Sequence, residues 1–166
     1  MKIIIFSDSH GDVDTMQSVV EGEKPDAIVH LGDHITDADK LSRIYPDIQM
    51  FKVLGNTDSY TKDEECIKYV DICGKRFMLT HGHTFIEYKQ SKPIFEGIMN
   101  MFLYGEYKDI TLFGHTHEPF INCCNDRWIM NPGRIGRVSS QIIKATYGVL
   151  EIGESGVLKW RFVELS

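Results

Sequence analysis

Hydrophobic and polar positions along the chain fall into two successive rhythms. The first third alternates short apolar runs with segments of helical period. The runs are Lys2 to Ser7, Ala27 to Leu31 and Gln49 to Leu54, and between them lie helices from about Thr15 to Glu23 and from Ala38 to Tyr45. Such a strand–helix order predicts a parallel sheet, because parallel neighbours require a crossover. From Cys66 the pattern changes: Cys66 to Ile72 and Arg76 to Thr80 are separated only by Cys73-Gly74-Lys75, a hairpin turn. A helix follows, opened near Pro93 and closed by Gly105, with Ile94, Phe95, Ile98, Met99, Phe102 and Leu103 as its core-facing stripe. The last third reads as strands at Ile110 to Phe113, Pro119 to Cys124, Arg127 to Met130, Tyr147 to Ile152 and Val157 to Val163. Arg134 to Ala145 has no clear period and is expected to be a mobile loop.

This many strands in an α/β chain of 166 residues predicts two packed, mixed sheets with helices on their outer faces. No repeat, low-complexity tract or linker divides the sequence, and at roughly 150 residues per domain the expectation is one domain spanning residues 1–166.

Composition narrows the function classes. A hydrophobic content of 42% with 25% charged residues is that of a soluble globular protein. The formal charge of -6, from 24 acidic against 18 basic residues, offers no basic field for a nucleic-acid backbone. No apolar run approaches the roughly 18 residues of a membrane span, and Ile3 to Phe6 is shorter than the roughly 7 to 15 apolar residues of a signal peptide. A cytoplasmic location is therefore expected. Cys66, Cys73, Cys123 and Cys124 form no C-x-x-C pair and read as reduced thiols.

The chemistry gathers just after the strands. Strand ends release Asp8-Ser9-His10, Gly32-Asp33-His34, Gly55-Asn56-Thr57-Asp58, His81-Gly82-His83 and Gly114-His115-Thr116-His117. In α/β sheets the ligand crevice lies beyond the carboxyl ends of the strands, so loops distant in sequence can meet there. In an extended D-x-H or H-x-H segment the i, i+2 side chains share one side, roughly 6.6 Å apart. Adjacent glycines at 32, 55, 82 and 114 would allow the sharp turns.

Asp8, His10, Asp33, Asn56, His81, His115 and His117 form a mixed oxygen and nitrogen donor set suited to borderline or harder divalent ions. Seven donors are too many for one ion, whereas two ions sharing a carboxylate would use them and leave positions for water and substrate. A single Asp or His at a strand exit is ordinarily a turn former or helix cap, but not seven together. His34 and His83 read equally well as site or surface residues, and His30, inside a strand, reads as a core histidine.

These motifs, in this order, resemble the calcineurin-like metallophosphoesterase superfamily: D-x-H, G-D, G-N-x-D, T-H-G and G-H-x-H stand at Asp8, Gly32, Gly55, Thr80 and Gly114. The compact length and Asn131-Pro132-Gly133 are most similar to its small bacterial and archaeal phosphodiesterases. The resemblance implies a four-layer α/β/β/α sandwich. It also implies two ions, manganese first with iron, nickel or zinc as alternatives. One would be held by Asp8, His10, Asp33 and His117, the other by Asp33, Asn56, His81 and His115, with Asp33 shared. Many members carry a histidine after the asparagine of the G-N motif, where it protonates the leaving oxygen; this chain has Thr57.

The expected activity is hydrolysis of a small phosphodiester by hydroxide generated between the two ions, attacking phosphorus in line. Asn56 would touch a phosphoryl oxygen, Asp58 would orient its neighbours, and His34 is an alternative proton donor. Ligating imidazoles must be unprotonated, so activity should fall below about pH 6.5. The competing readings are a phosphomonoesterase, a nuclease, and a scaffold like the retromer small subunit, which has lost part of the donor set. No membrane or dedicated nucleic-acid partner is expected, and a homo-oligomer is compatible with the sequence.

Overall fold

The computed structural model describes residues 1–59, 65–85, 109–136 and 144–165. Among the described residues, ten strands form two mixed sheets. The first sheet holds β1 (Lys2–Phe6), β2 (Ala27–His30), β3 (Gln49–Lys52), β9 (Thr146–Ile152) and β10 (Leu158–Glu164), in the order β10-β9-β1-β2-β3. The second holds β4 (Ile67–Ile72), β5 (Lys75–Thr80), β6 (Ile110–Leu112), β7 (Pro119–Cys124) and β8 (Arg127–Pro132), in the order β4-β5-β6-β8-β7. Helices α1 (Val13–Glu23) and α2 (Ile35–Ile44) are the crossovers of the first sheet.

The uninterrupted apolar run of β1 follows from burial on both faces. Ile3 and Ile5 enter the core between the sheets with Val29, Phe77, Leu79, Leu112 and Leu150, while Ile4 and Phe6 meet Met16, Val20 and Leu41 of the helices. Strands β1, β2 and β3 are parallel, as are β5, β6 and β8. The pairing of β6 with β8 was not legible in the strand list, since β7 lies between them in sequence yet sits outside β8 as the sheet edge.

This is the expected α/β architecture of two mixed sheets. The described residues supply three layers, and the helix expected from Pro93 to Gly105 lies outside them. Two-residue turns close both hairpins of the second sheet: Cys73-Gly74 and Asn125-Asp126 all have positive φ, which matches the right-handed twist of the strands. Helix α1 starts at Val13 because Asp12 caps it, its Oδ1 accepting from Thr15 N at 3.2 Å. Helix α2 begins three residues before the expected Ala38. The Ile35 N–H finds its acceptor in Asp58 Oδ1 at 2.8 Å, a cap 23 residues away that no local pattern contains.

The expected mobile loop is corrected at its start. Arg134 and Ile135 are buried, and Ile135 N and Gly136 N donate to Ser7 O and Asp8 O at 3.0 and 3.1 Å. Residues 137–143 lie outside the described residues. No helix among the described residues is long and apolar enough to cross a membrane.

Phe77, fully buried between the sheets, offers a direct test of this packing. Phe77→Ala should cost about 3–5 kcal/mol of stability, measured by urea unfolding.

Candidate metal centre

The parallel strands of each sheet end together, and their exit loops meet. Asp8 is fully buried. Its Oδ2 accepts from Ser7 Oγ at 2.5 Å and His115 N at 3.1 Å, leaving Oδ1 to face His117 Nε2 at 3.1 Å and His81 Nε2 at 3.9 Å. Asp33 Oδ1 accepts from Thr57 N at 3.0 Å and stands 3.4 Å from His81 Nε2. His81 Nε2 is also 3.1 Å from both Asn56 Oδ1 and His115 Nδ1. Two groups have donor atoms mutually within 4.8 Å: Asp8, His10 and His117, and Asp8, Asp33 and His81. All seven donors anticipated from the motifs thus belong to one connected cluster, in which Asp8 is common to both groups.

The donor set fits a cation. His81 Nδ1 is 2.8 Å from the Leu31 carbonyl, which can only accept, so Nδ1 carries the proton and Nε2 of the neutral ring presents a lone pair. That lone pair converges with Asp33 Oδ1, Asn56 Oδ1 and Asp8 Oδ1, all acceptors. A histidine fixed through its other nitrogen by a backbone carbonyl is the usual arrangement behind a metal ligand.

The backbone achieves this by left-handed turns and not by the extended D-x-H and H-x-H segments expected from spacing. Asp8, His10, Asp33, His34, His115 and His117 have φ between 47 and 68°, six of the ten non-glycine residues with positive φ among those described. Five of the six are donors, curled toward the common centre, and the sixth, His34, follows one; each costs roughly 1–3 kcal/mol that the surrounding hydrogen bonds must offset. Gly55 and Gly114 serve close approach: a Cβ on Gly55 would fall on Asp33 N and Oδ1, and one on Gly114 would fall on Ser7 Oγ.

Electrostatics favour the ligating forms. Burial pushes the Asp8 carboxyl upward, but the hydrogen bond with His117, the nearby His81 and the Ser7 hydroxyl outweigh it and hold the group below the ordinary range. Burial lowers His10 and His115, with neighbouring imidazoles adding to the effect against the pull of Asp8 and Asp33.

The remaining anticipated residues have distinct places. Asp58 stands behind the donors, accepting from Gly55 N at 2.9 Å and Ile35 N at 2.8 Å, which joins the G-N loop to the start of α2. His34 is exposed, with its ring 5.3 Å from that of His10. His83 is half-buried, 5.4 Å ring to ring from His81, and burial lowers it. His30 is a core histidine: Gly32 N donates to its Nδ1 at 3.3 Å, and Nε2 is 3.1 Å from Ser9 Oγ. The motif reading missed Ser7, which fixes Asp8. It also gave no role to Asn131, whose Nδ2 donates to Gly114 O and Thr116 Oγ1 at 2.8 and 3.0 Å and steadies the G-H-x-H turn. Asn131 was visible as part of Asn131-Pro132-Gly133; Ser7 carried no signal beyond adjoining Asp8.

Two sandwiched mixed sheets whose strand ends gather carboxylates, an amide and imidazoles form a site suited to divalent cations. The calcineurin-like phosphoesterase superfamily domain model matches residues 1–155, and the chain belongs to that superfamily. A probable metallophosphoesterase of Mycoplasma genitalium is 26% identical over 147 residues, covering 89% of this chain and 85% of that protein. A phosphodiesterase of Methanocaldococcus jannaschii is 26% identical over 154 residues, covering 80% and 83%. The crystal structure of a Streptococcus pneumoniae protein described as a predicted phosphoesterase superimposes with a TM-score of 0.73 at 28% identity, covering 98% and 88%.

His30 yields a pH-dependent stability. Burial lowers it to about 4 from an ordinary 6.5, so between these values the unfolded chain binds a proton that the folded chain refuses. Its contribution is complete above pH 6.5 and declines by about 3 kcal/mol as pH falls toward 4. Urea unfolding of the metal-free protein across this range should show the decline, with a shallower slope for His30→Asn.

Proposed function

We propose that the protein is a metal-dependent phosphodiesterase acting on a small diester in the cytoplasm, and that residues 1–166 form one catalytic domain. The observation that carries the reading is the convergence of lone pairs from the buried His81, Asp33 and Asp8 and the exposed Asn56, with His81 held in the ligating tautomer by Leu31. The similarity to an archaeal phosphodiesterase supports diester over monoester chemistry.

Asp8, His10, Asp33 and His117 would hold one divalent ion and Asp33, Asn56, His81 and His115 the other, with manganese the first candidate. When bound, such a pair supplies Lewis-acid activation of water and neutralises phosphoryl charge. The chain's own contribution is positioning. Ser7 and the His115 N–H hold one oxygen of Asp8, leaving the other for the centre. Thr57 N fixes Asp33, and Asp58 fixes the loop from which Asn56 reaches a phosphoryl oxygen. His34, exposed with its ring 5.3 Å from that of His10, would donate a hydrogen bond to the substrate. Thr57 stands where an imidazole would protonate the leaving oxygen, so substrates whose leaving group departs without a proton should react fastest.

With added manganese, the protein should hydrolyse an aryl phosphodiester faster than the aryl monoester, and nitro-substituted aryl groups should leave faster than unsubstituted ones. Absence of product above background would instead indicate a scaffold. Asp33→Asn should abolish metal-dependent turnover while circular dichroism shows a folded chain; undiminished activity would refute the shared role of Asp33.

A further inference from the structure

A carboxylate outside every motif lies behind the centre. Asp37, in the first turn of α2, is 1% exposed. Its Oδ2 accepts from Ser9 Oγ at 2.9 Å and Gly11 N at 2.7 Å, and its Oδ1 accepts from Lys40 Nζ at 3.1 Å. Ser9 and Gly11 are the two chain neighbours of His10, so both sides of that residue are tied to one oxygen atom.

The tie continues into the sheet. Because Gly32 N donates to His30 Nδ1, the neutral His30 ring carries its proton on Nε2 and donates to Ser9 Oγ. Ser9 then donates its own proton to Asp37 Oδ2 at 2.9 Å, the nearer of its two acceptors, Asp33 O lying at 3.4 Å. A directed string of hydrogen bonds thus runs from the exit of β2 to the exit of β1 and ends on a buried carboxylate.

The His10 loop needs such an anchor. Its φ of 47° is followed by 93° at Gly11, and a left-handed non-glycine residue persists only where its surroundings over-determine it. Asp8 and His81 have side chains fixed directly by hydrogen bonds, whereas the His10 imidazole makes none to any described residue. Its ring is placed by its backbone and by edge contacts with His34 and His117.

We propose that Asp37 is a positioning residue that, through Ser9 and Gly11, presents His10 to the ion held with Asp8 and His117, and so sets the affinity of that position selectively. The inference rests on the two-ion reading above. The other position depends on Asp33, Asn56, His81 and His115, which Asp37 does not touch.

The test is calorimetric titration of the metal-stripped full chain with manganese, alongside cobalt absorption spectra as a report on imidazole coordination. Wild type should take up two ions. In Asp37→Ala one binding step should weaken roughly 10–100-fold, the effect typical of losing a group that orients a ligand, with an altered cobalt spectrum. The other step should be unchanged. Asp37→Asn retains an oxygen for Ser9 and Gly11 and should restore most of the affinity, while Lys40→Ala should leave both steps as in wild type. If Asp37→Ala does not fold, Ser9→Ala should weaken the same step by a smaller factor. Equal weakening of both steps, or weakening of neither, would overturn the inference alone. Wild-type protein that takes up no manganese would overturn it together with the hydrolase reading.

Discussion

The structure depends on keeping several lone-pair-bearing atoms close together in a buried setting. Asp8, Asp33 and His81 are buried, and their facing atoms are acceptors that repel one another in the absence of a cation. A buried carboxylate without partners is too costly to retain as an anion. Here each is partly compensated from behind: Asp8 by Ser7 and the His115 N–H, Asp33 by the Thr57 N–H. These donors come from neighbouring loops and largely from the main chain, so the charge arrangement is built by the same turns that shape the backbone.

The two-sheet core makes that arrangement possible. Parallel strands saturated with Ile, Val, Leu and Phe fix where each chain segment leaves the sheet, and the cross-links between exits fix where it goes next. Asp8 N donates to Gly32 O, Gly114 N to His81 O and Gly136 N to Asp8 O. Loops far apart in sequence are thereby laced into one unit, with the left-handed residues concentrated where the lacing is densest. Strain at the centre is sustained by packing elsewhere, as expected for a preorganised site.

Chemistry is divided between the two sides of the cluster. On the inner side, polar groups are directed: Leu31 sets the tautomer of His81, Asn131 steadies the G-H-x-H turn, and Asp58 links the G-N loop to α2. On the outer side, His34, Asn56 and Thr57 are exposed.

Much of this was legible in the linear sequence. Apolar runs located every strand among the described residues to within a few residues, through continuous hydrophobic signatures where burial is two-sided, as in β1 and β2, and the donors were visible because they follow such runs. What periodicity could not supply was anything decided by a distant partner. Helix α2 starts early because Asp58 caps it from 23 residues away, and Arg134 to Gly136 are pinned by β1 and not loose. The placement of β7 outside β8 and the left-handed turns at six donors and flanking residues also lay beyond local reading. Asp37 and Ser7 looked like ordinary polar residues until the fold set them against Gly11 and Asp8. The sequence by itself determined which atoms are available as ligands and that the strands would deliver them to one end. Only the tertiary structure decided their orientation, because orientation is set by hydrogen bonds between segments that sequence proximity does not connect.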